Sequence, residues 1–147
     1  MRRSERLKVV LAVEERREQE ALEQMAEARR QVDDQQARLE ELNRYQAEYR
    51  EQMRAGRQGP VAVTRLQAWQ AFSAQLDQVI RQQEQQLAQV RRVFDSRRDA
   101  WRAAWERRRG MENYIDTCRR QEDQEQSARE QKLADEAAGR AFARRRR

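Results

Sequence analysis

Apolar side chains recur along this chain at alternating steps of three and four residues, and the pattern is interrupted once. The first run reads Leu7, Leu11, Glu14, Glu18, Ala21, Met25, Ala28, Val32, Gln35, Leu39, Leu42, Gln46, Tyr49, Met53. The second reads Leu66, Trp69, Ser73, Leu76, Ile80, Gln83, Leu87, Val90, Phe94, Arg97, Trp101, Ala104, Arg108, Met111, Ile115, Cys118. A mean period of 3.5 lays one stripe along a helix and demands another helix to cover it. Disordered chains have no reason to hold such a phase, so residues 7–118 are expected to be ordered.

The interruption is "RAGRQGPVAV", Arg54–Val63, which holds the only proline of the chain and two of its four glycines. Gly56 stands where a left-handed residue ends a helix. Pro60 cannot continue a helix interior. Thr64 and Gln67 have the spacing of a capping box. A connection this short between two long helices implies that they return antiparallel. The expected fold is all-α: two long helices in an antiparallel coiled-coil hairpin, the second extending beyond the first. The boundaries are helix 1 over about 4–55, turn 56–63, helix 2 over about 64–140 and a basic tail 140–147, in one domain 1–147. Setting Met53 against Leu66 brings Leu39 to Ile80, Val32 to Leu87 and Met25 to Phe94. Helix 1 is then exhausted near residue 112.

Charged residues make up 39% of the chain and hydrophobic ones 37%, too little apolar matter for a conventional globular core. No run of about 18 apolar residues is present, so no membrane insertion is expected. The basic start lacks the unbroken apolar stretch of a signal peptide. One cysteine, Cys118, supports no disulfide framework and favours a reducing compartment. The net charge of +6 is blocked rather than uniform. Residues 121–139 carry −4 and the last eight, "RAFARRRR", carry +5. An acidic block beside a basic one argues against phosphate tracking, so no nucleic acid partner is expected.

Nothing in the chain suggests an enzyme. It has no histidine, no glycine-rich phosphate loop, no metal-ligand cluster and no nucleophile beside a base. Catalytic, cofactor and metal sites are therefore all expected to be absent. Cys118 falls on the seam, as a small packed side chain or a reactive thiol. Trp69, Phe94 and Trp101 also fall on the seam, where packing is their natural role.

Tyr45 and Phe72 do not. Both take the heptad position g, and the hairpin sets them nearly opposite on one flank. Val79 follows one heptad on, and Leu42, Tyr49 and Leu76 border the row. Two readings stand for this group: it widens the core near the turn, or it docks a partner. The terminal arginines have three: a solvated tail that suits a helix C-terminus, a contact with an acidic protein surface, or an anionic polymer or membrane site.

The stretch "LEELNRYQAEYREQMRAGRQGPVAVTRLQAWQAFSAQLDQVIRQQ" resembles the flagellar FliJ family, small components of the bacterial type III export apparatus. The shared pattern is Leu42, Tyr45 and Tyr49, a glycine-containing turn, then Trp69, Phe72 and Leu76. The tail "EDQEQSAREQKLADEAAGR" resembles the family's C-terminal helix, so the resemblance covers nearly the whole chain. It implies flagellum biogenesis, protein transport and, through motility, chemotaxis. It implies a hairpin like the stalk subunit of rotary ATPases. It implies an export ATPase hexamer as partner at the end formed by both termini, here Leu7, Val10, Leu11, Leu133, Phe142, Arg144 and Arg145. It implies that the cytoplasmic domain of the membrane export gate binds Leu42, Tyr45, Tyr49, Phe72, Leu76 and Val79, with export chaperones as further partners. Arg38 and Gln83 depart from the family's polar residues and are not carried over. The implied location is the cytoplasm, peripheral at the inner face of the cell membrane. Injectisome stalk proteins are similar, and a generic coiled-coil scaffold or a nucleic-acid-binding helix are the readings of other classes.

Overall fold

A computed structural model describes residues 2–146. Two helices account for nearly all of them, α1 over Arg3–Gly56 and α2 over Val63–Arg145. No strand occurs among the described residues, and the helices pack against each other as an all-α hairpin. Position 147 of the expected tail lies outside the described residues. The helix continues through the rest of that tail to Arg145.

The heptad stripe is what the hairpin buries. Along α1 the seam positions from Leu7 to Met53 are the shielded ones, and their neighbours are mostly exposed. Along α2 the same holds from Leu66 to Cys118 with one exception. Arg97 is exposed and Arg98 is half-buried in its place, so the stripe shifts by one residue there. Arg97 reaches out to Gln24 instead, at 2.9 Å. Arg98 lays its stem along the seam and turns its outer nitrogens to Asp95 and Asp99, at 3.4 and 3.5 Å, while its Nε is buried without a partner.

The helices form two compact units, one from Ala21 to Trp101 and one joining residues up to Glu20 with residues from Arg102 onward. In the first, Ala28, Leu76, Ile80 and Leu87 are buried. Each leucine or isoleucine withdrawn this far from water contributes roughly 1.5–3 kcal/mol. Gln35, Gln46 and Gln83, polar interruptions of the seam in this unit, are paired across the hairpin. Gln83 donates from Nε2 to the Gln35 backbone carbonyl at 3.0 Å and to its Oε1 at 2.7 Å. Gln46 Nε2 donates to Asp77 Oδ1 at 2.5 Å. Polar layers of this kind cost stability and fix register.

The turn differs from the sequence expectation in two respects. No described glycine has positive φ, so Gly56 is not a left-handed cap. It closes α1 in helical conformation, and Arg57 N donates to Met53 O at 3.1 Å. A glycine suits the space here: a Cβ would lie 3.0 Å from Trp69 Cη2, so the indole would have to give way to any larger residue. Nor does Thr64 cap α2. The Ala62 carbonyl accepts from Arg65 and Leu66, so Ala62 is the N-cap and Thr64 stands inside the first turn.

The second unit contains Ala104, Ile115 and Cys118 as buried side chains. Arg108 binds Glu18 across the hairpin and Glu112 one turn along, at 2.7 Å for the latter. Contacts between the helices persist to Glu122 and Asp123, past the expected limit near residue 112. α1 begins at Arg3, close to expectation, but Ser4 meets Glu122 and Glu18 meets Arg108, partners about seven residues further along α2 than the expected register sets them. Beyond these contacts every residue from 127 to 146 is exposed.

Candidate functional site

The aromatic flank lies in the Ala21–Trp101 unit. Phe72 is its centre: its ring stands 4.6 Å from Tyr49 and 6.3 Å, edge-on, from Tyr45. Such tilted and T-shaped pairs set ring edges against ring faces, the arrangement the aromatic quadrupole favours. Heptad geometry puts the three together because Tyr45 and Phe72 share one flank while Tyr49 sits on the adjoining seam. Tyr49 is further held by a long contact of its hydroxyl with the Trp69 carbonyl, at 3.5 Å.

Exposure divides the six residues expected here. Tyr45 is 49% exposed, Val79 40% and Phe72 36%. Leu42 and Tyr49 are half-buried, and Leu76 is buried. Leu76 therefore serves as the floor of the flank, and Tyr45, Phe72 and Val79 are the groups open to water. Val79 is seven residues from Phe72 and so shares its face of α2.

The open end lies in the other unit and is held at its base by Glu122. Its carboxylate accepts from Ser4 Oγ at 2.6 Å and from Ser4 N at 3.0 Å. Arg2 is the N-cap of α1, its carbonyl accepting from Glu5 and Arg6, so the Ser4 amide has no partner within its own helix. A carboxylate from the neighbouring helix supplies one, at the positive end of the α1 dipole. The Ser4 side-chain and backbone donors, with Arg2 nearby, hold the Glu122 carboxyl below its usual range. Arg3 reaches Tyr114 as well, with its guanidinium over the ring.

The residues expected at this end do not gather into one patch. Leu7 and Leu11 are half-buried in the seam, and Val10 is 41% exposed on α1. Leu133 and Phe142 lie on the uncovered part of α2, 62% and 58% exposed. Leu133 is about 16 Å along the helix from Glu122, at 1.5 Å per residue. Arg144 and Arg145 are exposed in the last turn of α2. Val9 and Val13 are exposed beside Val10 and belong with it. The run "LKVVLAV" was the signal for them, since it places more apolar residues than one seam accommodates.

Among the described residues no group of acidic, cysteine or histidine side chains is arranged to hold a metal ion. No described helix is long and apolar enough to cross a membrane. Open apolar side chains occur in both units, Tyr45, Phe72 and Val79 in one and Val10, Leu133 and Phe142 in the other. Neither a curated protein nor a solved structure matched the chain. The family model described as flagellar FliJ protein matches residues 3–147. With the hairpin, the aromatic flank and a match over essentially its whole length, the chain belongs to the FliJ family, components of the flagellar type III export apparatus.

Proposed function

We propose that this chain links the export ATPase to the membrane export gate and helps to couple ATP hydrolysis to protein export. The observation that carries the proposal is that open apolar side chains occur in both units, as an aromatic group in one and as separate side chains in the other. Tyr45, Phe72 and Val79 form one group in the Ala21–Trp101 unit. Val10, Leu133 and Phe142, with Arg144 and Arg145, belong to the other. Two surfaces on the same two helices suit a protein with two different partners. The aromatic flank receives the cytoplasmic domain of the gate: aromatic anchors that are half-exposed and already rigid lose little entropy on docking. The open end meets the ATPase ring, where acidic and basic blocks on α2 offer both signs of charge. The role is non-enzymatic, and the chain acts in the cytoplasm at the inner face of the membrane through its partners.

The test separates the two surfaces. A chain ending at residue 123 keeps Glu122 and Asp123, and with them the contacts of Ser4 and Arg2. It should bind the gate domain normally and fail to stimulate ATP turnover by the export ATPase. The Tyr45→Ala variant should do the reverse. Equal stimulation by the truncated and full-length chains would remove α2's end from the coupling.

A further inference from the structure

The side of α2 that adjoins Tyr45 carries a second stripe of coiled-coil period, and we infer that it seats a helix of the docking partner, one with a basic flank. Steps of four and three residues from Ala68 to Ala100 run through Phe72, Gln75, Val79, Gln82, Gln89 and Val93. These are heptad positions c and g, beside the buried seam. All ten residues of the stripe are exposed. Phe72, Val79 and Val93 are its open apolar members. None of the ten is charged, although charged residues make up 39% of the chain. The matching stripe on the other side of the seam, positions b and e from Gln67 to Arg98, also has ten residues. It carries six charges, on Asp77, Arg81, Glu84, Arg91, Asp95 and Arg98. A solvated helix has no reason to shed charge on one side of its seam alone, whereas a side covered by another protein does.

A stripe of period 3.5 is followed along its length by another helix. This one is about 48 Å long at 1.5 Å per residue. It lies within the Ala21–Trp101 unit. The opposite wall of the flank is α1. Glu41 and Glu48 stand one turn either side of Tyr45, and Asp34 and Glu27 continue the row at steps of seven. All four are exposed. Glu27 is held by Arg30 and Gln31 of its own helix. Arg30 and Arg44 stand on the far side of this row from the flank, and Arg38 is the one basic residue on the near side, at position g. The near side of α1 is therefore acidic and that of α2 is uncharged. The occupant that fits presents an uncharged stripe to α2 and basic side chains to α1. A second copy of this chain would bring the same acidic row, and an anionic membrane would bring phosphates, so neither supplies that flank. The inference rests on the reading of the aromatic flank as the gate's docking surface. It adds that the gate contributes a basic-flanked helix, lying past Val79 as far as Ala100.

The experiment uses the full chain and the gate's cytoplasmic domain. With p-benzoylphenylalanine placed singly at positions 75, 82, 89 and 96, photocross-links should fall on one segment of the gate domain, at successive steps of about seven residues. The same label at position 88, on the charged side, should give none. Calorimetric titration reads the chemistry. Gln89→Lys sets an unpaired charge in the covered stripe and should weaken the complex by about tenfold or more, while Ala88→Lys stays within about twofold of the wild type. Asp34→Lys should weaken it by about threefold or more and flatten its salt dependence. Circular dichroism of each variant should match the wild type, because all three sites are exposed. If Tyr45→Ala weakens binding and Gln89→Lys does not, the gate docks on the aromatic flank without a helix along the stripe; the inference falls and the docking reading stands. Cross-links scattered over several gate segments would overturn it in the same way, and tighter binding by Asp34→Lys would overturn the basic flank. If neither Tyr45→Ala nor Gln89→Lys alters gate binding, the docking reading itself falls and takes the inference with it.

Discussion

Phe72→Ala and Tyr45→Ala should separate folding from docking. Phe72 has about two-thirds of its surface out of water, since it is 36% exposed. Full burial of a phenylalanine contributes about 1.5–3 kcal/mol, so this fraction contributes roughly 1–2 kcal/mol. Its two ring contacts, with Tyr49 and Tyr45, add about 0.5–1.5 kcal/mol each. Truncation should cost roughly 2–5 kcal/mol, a large part of the margin of a small domain. Tyr45 is half in water and shares one edge-on contact, so its truncation should cost less, roughly 1–3 kcal/mol. The order reverses for binding. Tyr45 is the more open ring, and as an anchor at the gate its loss should cost about 2 kcal/mol or more, roughly a thirtyfold weaker complex. Urea unfolding gives the first pair of numbers, and calorimetric titration of the gate's cytoplasmic domain gives the second. A fully folded Tyr45→Ala chain with unchanged gate affinity would refute the docking role. Equal stability losses for the two variants would refute the division of labour drawn from their exposure.

The polar layer makes a prediction about register. Gln83→Leu alone leaves the buried Gln35 amide without its partner and should destabilise by about 1–3 kcal/mol in urea titrations. Adding Gln35→Leu should recover that loss or exceed it, while broadening the inter-helix distance distribution between spin labels at 39 and 80. Acid should act on the α1 start through Glu122. Its carboxyl pKa is lowered by the Ser4 donors, so the stabilisation is present above the ordinary carboxylate pKa and is lost as pH falls through the lowered value. Hydrogen exchange at the amides of residues 4–8 should quicken in that window. Glu122→Gln should produce the same fraying at neutral pH and abolish its pH dependence.

The seam was legible because a 3.5 period is a property of spacing alone, and hairpin topology followed from a single short break. The facing of Tyr45 and Phe72 followed too, since heptad position fixes the flank. Three features were not legible for distinct physical reasons. Gly56 carries the composition of a left-handed cap, yet what it gives is space beside Trp69, a contact made only by tertiary packing. The phase shift at Arg97 and Arg98 places two residues of the same type, so composition gave no cue. The reach of α1 to Glu122 depends on the register at that end, and its first turn is stabilised by a carboxylate distant in sequence. A signal did exist for the pairing itself. Gln35 with Gln83 and Glu18 with Arg108 are seam interruptions of matching chemistry on the two helices, and each pair meets. Of the candidate surfaces, position on the helices could be read in advance. The burial of Leu76 followed from its seam position and the run LKVVLAV signalled Val9 and Val13, whereas how far each flank residue is exposed could not be read, because that depends on how the two helices are rotated against each other.

The central claim is that one chain holds two partners at once, and the direct measurement is particle mass. Export ATPase, the gate's cytoplasmic domain and this chain, mixed together, should give a ternary particle by mass photometry. Tyr45→Ala should leave only the ATPase complex, and the chain ending at residue 123 should leave only the gate complex. If the ATPase and the gate domain instead displace each other from the wild-type chain, the two surfaces are one, and the linking role is wrong.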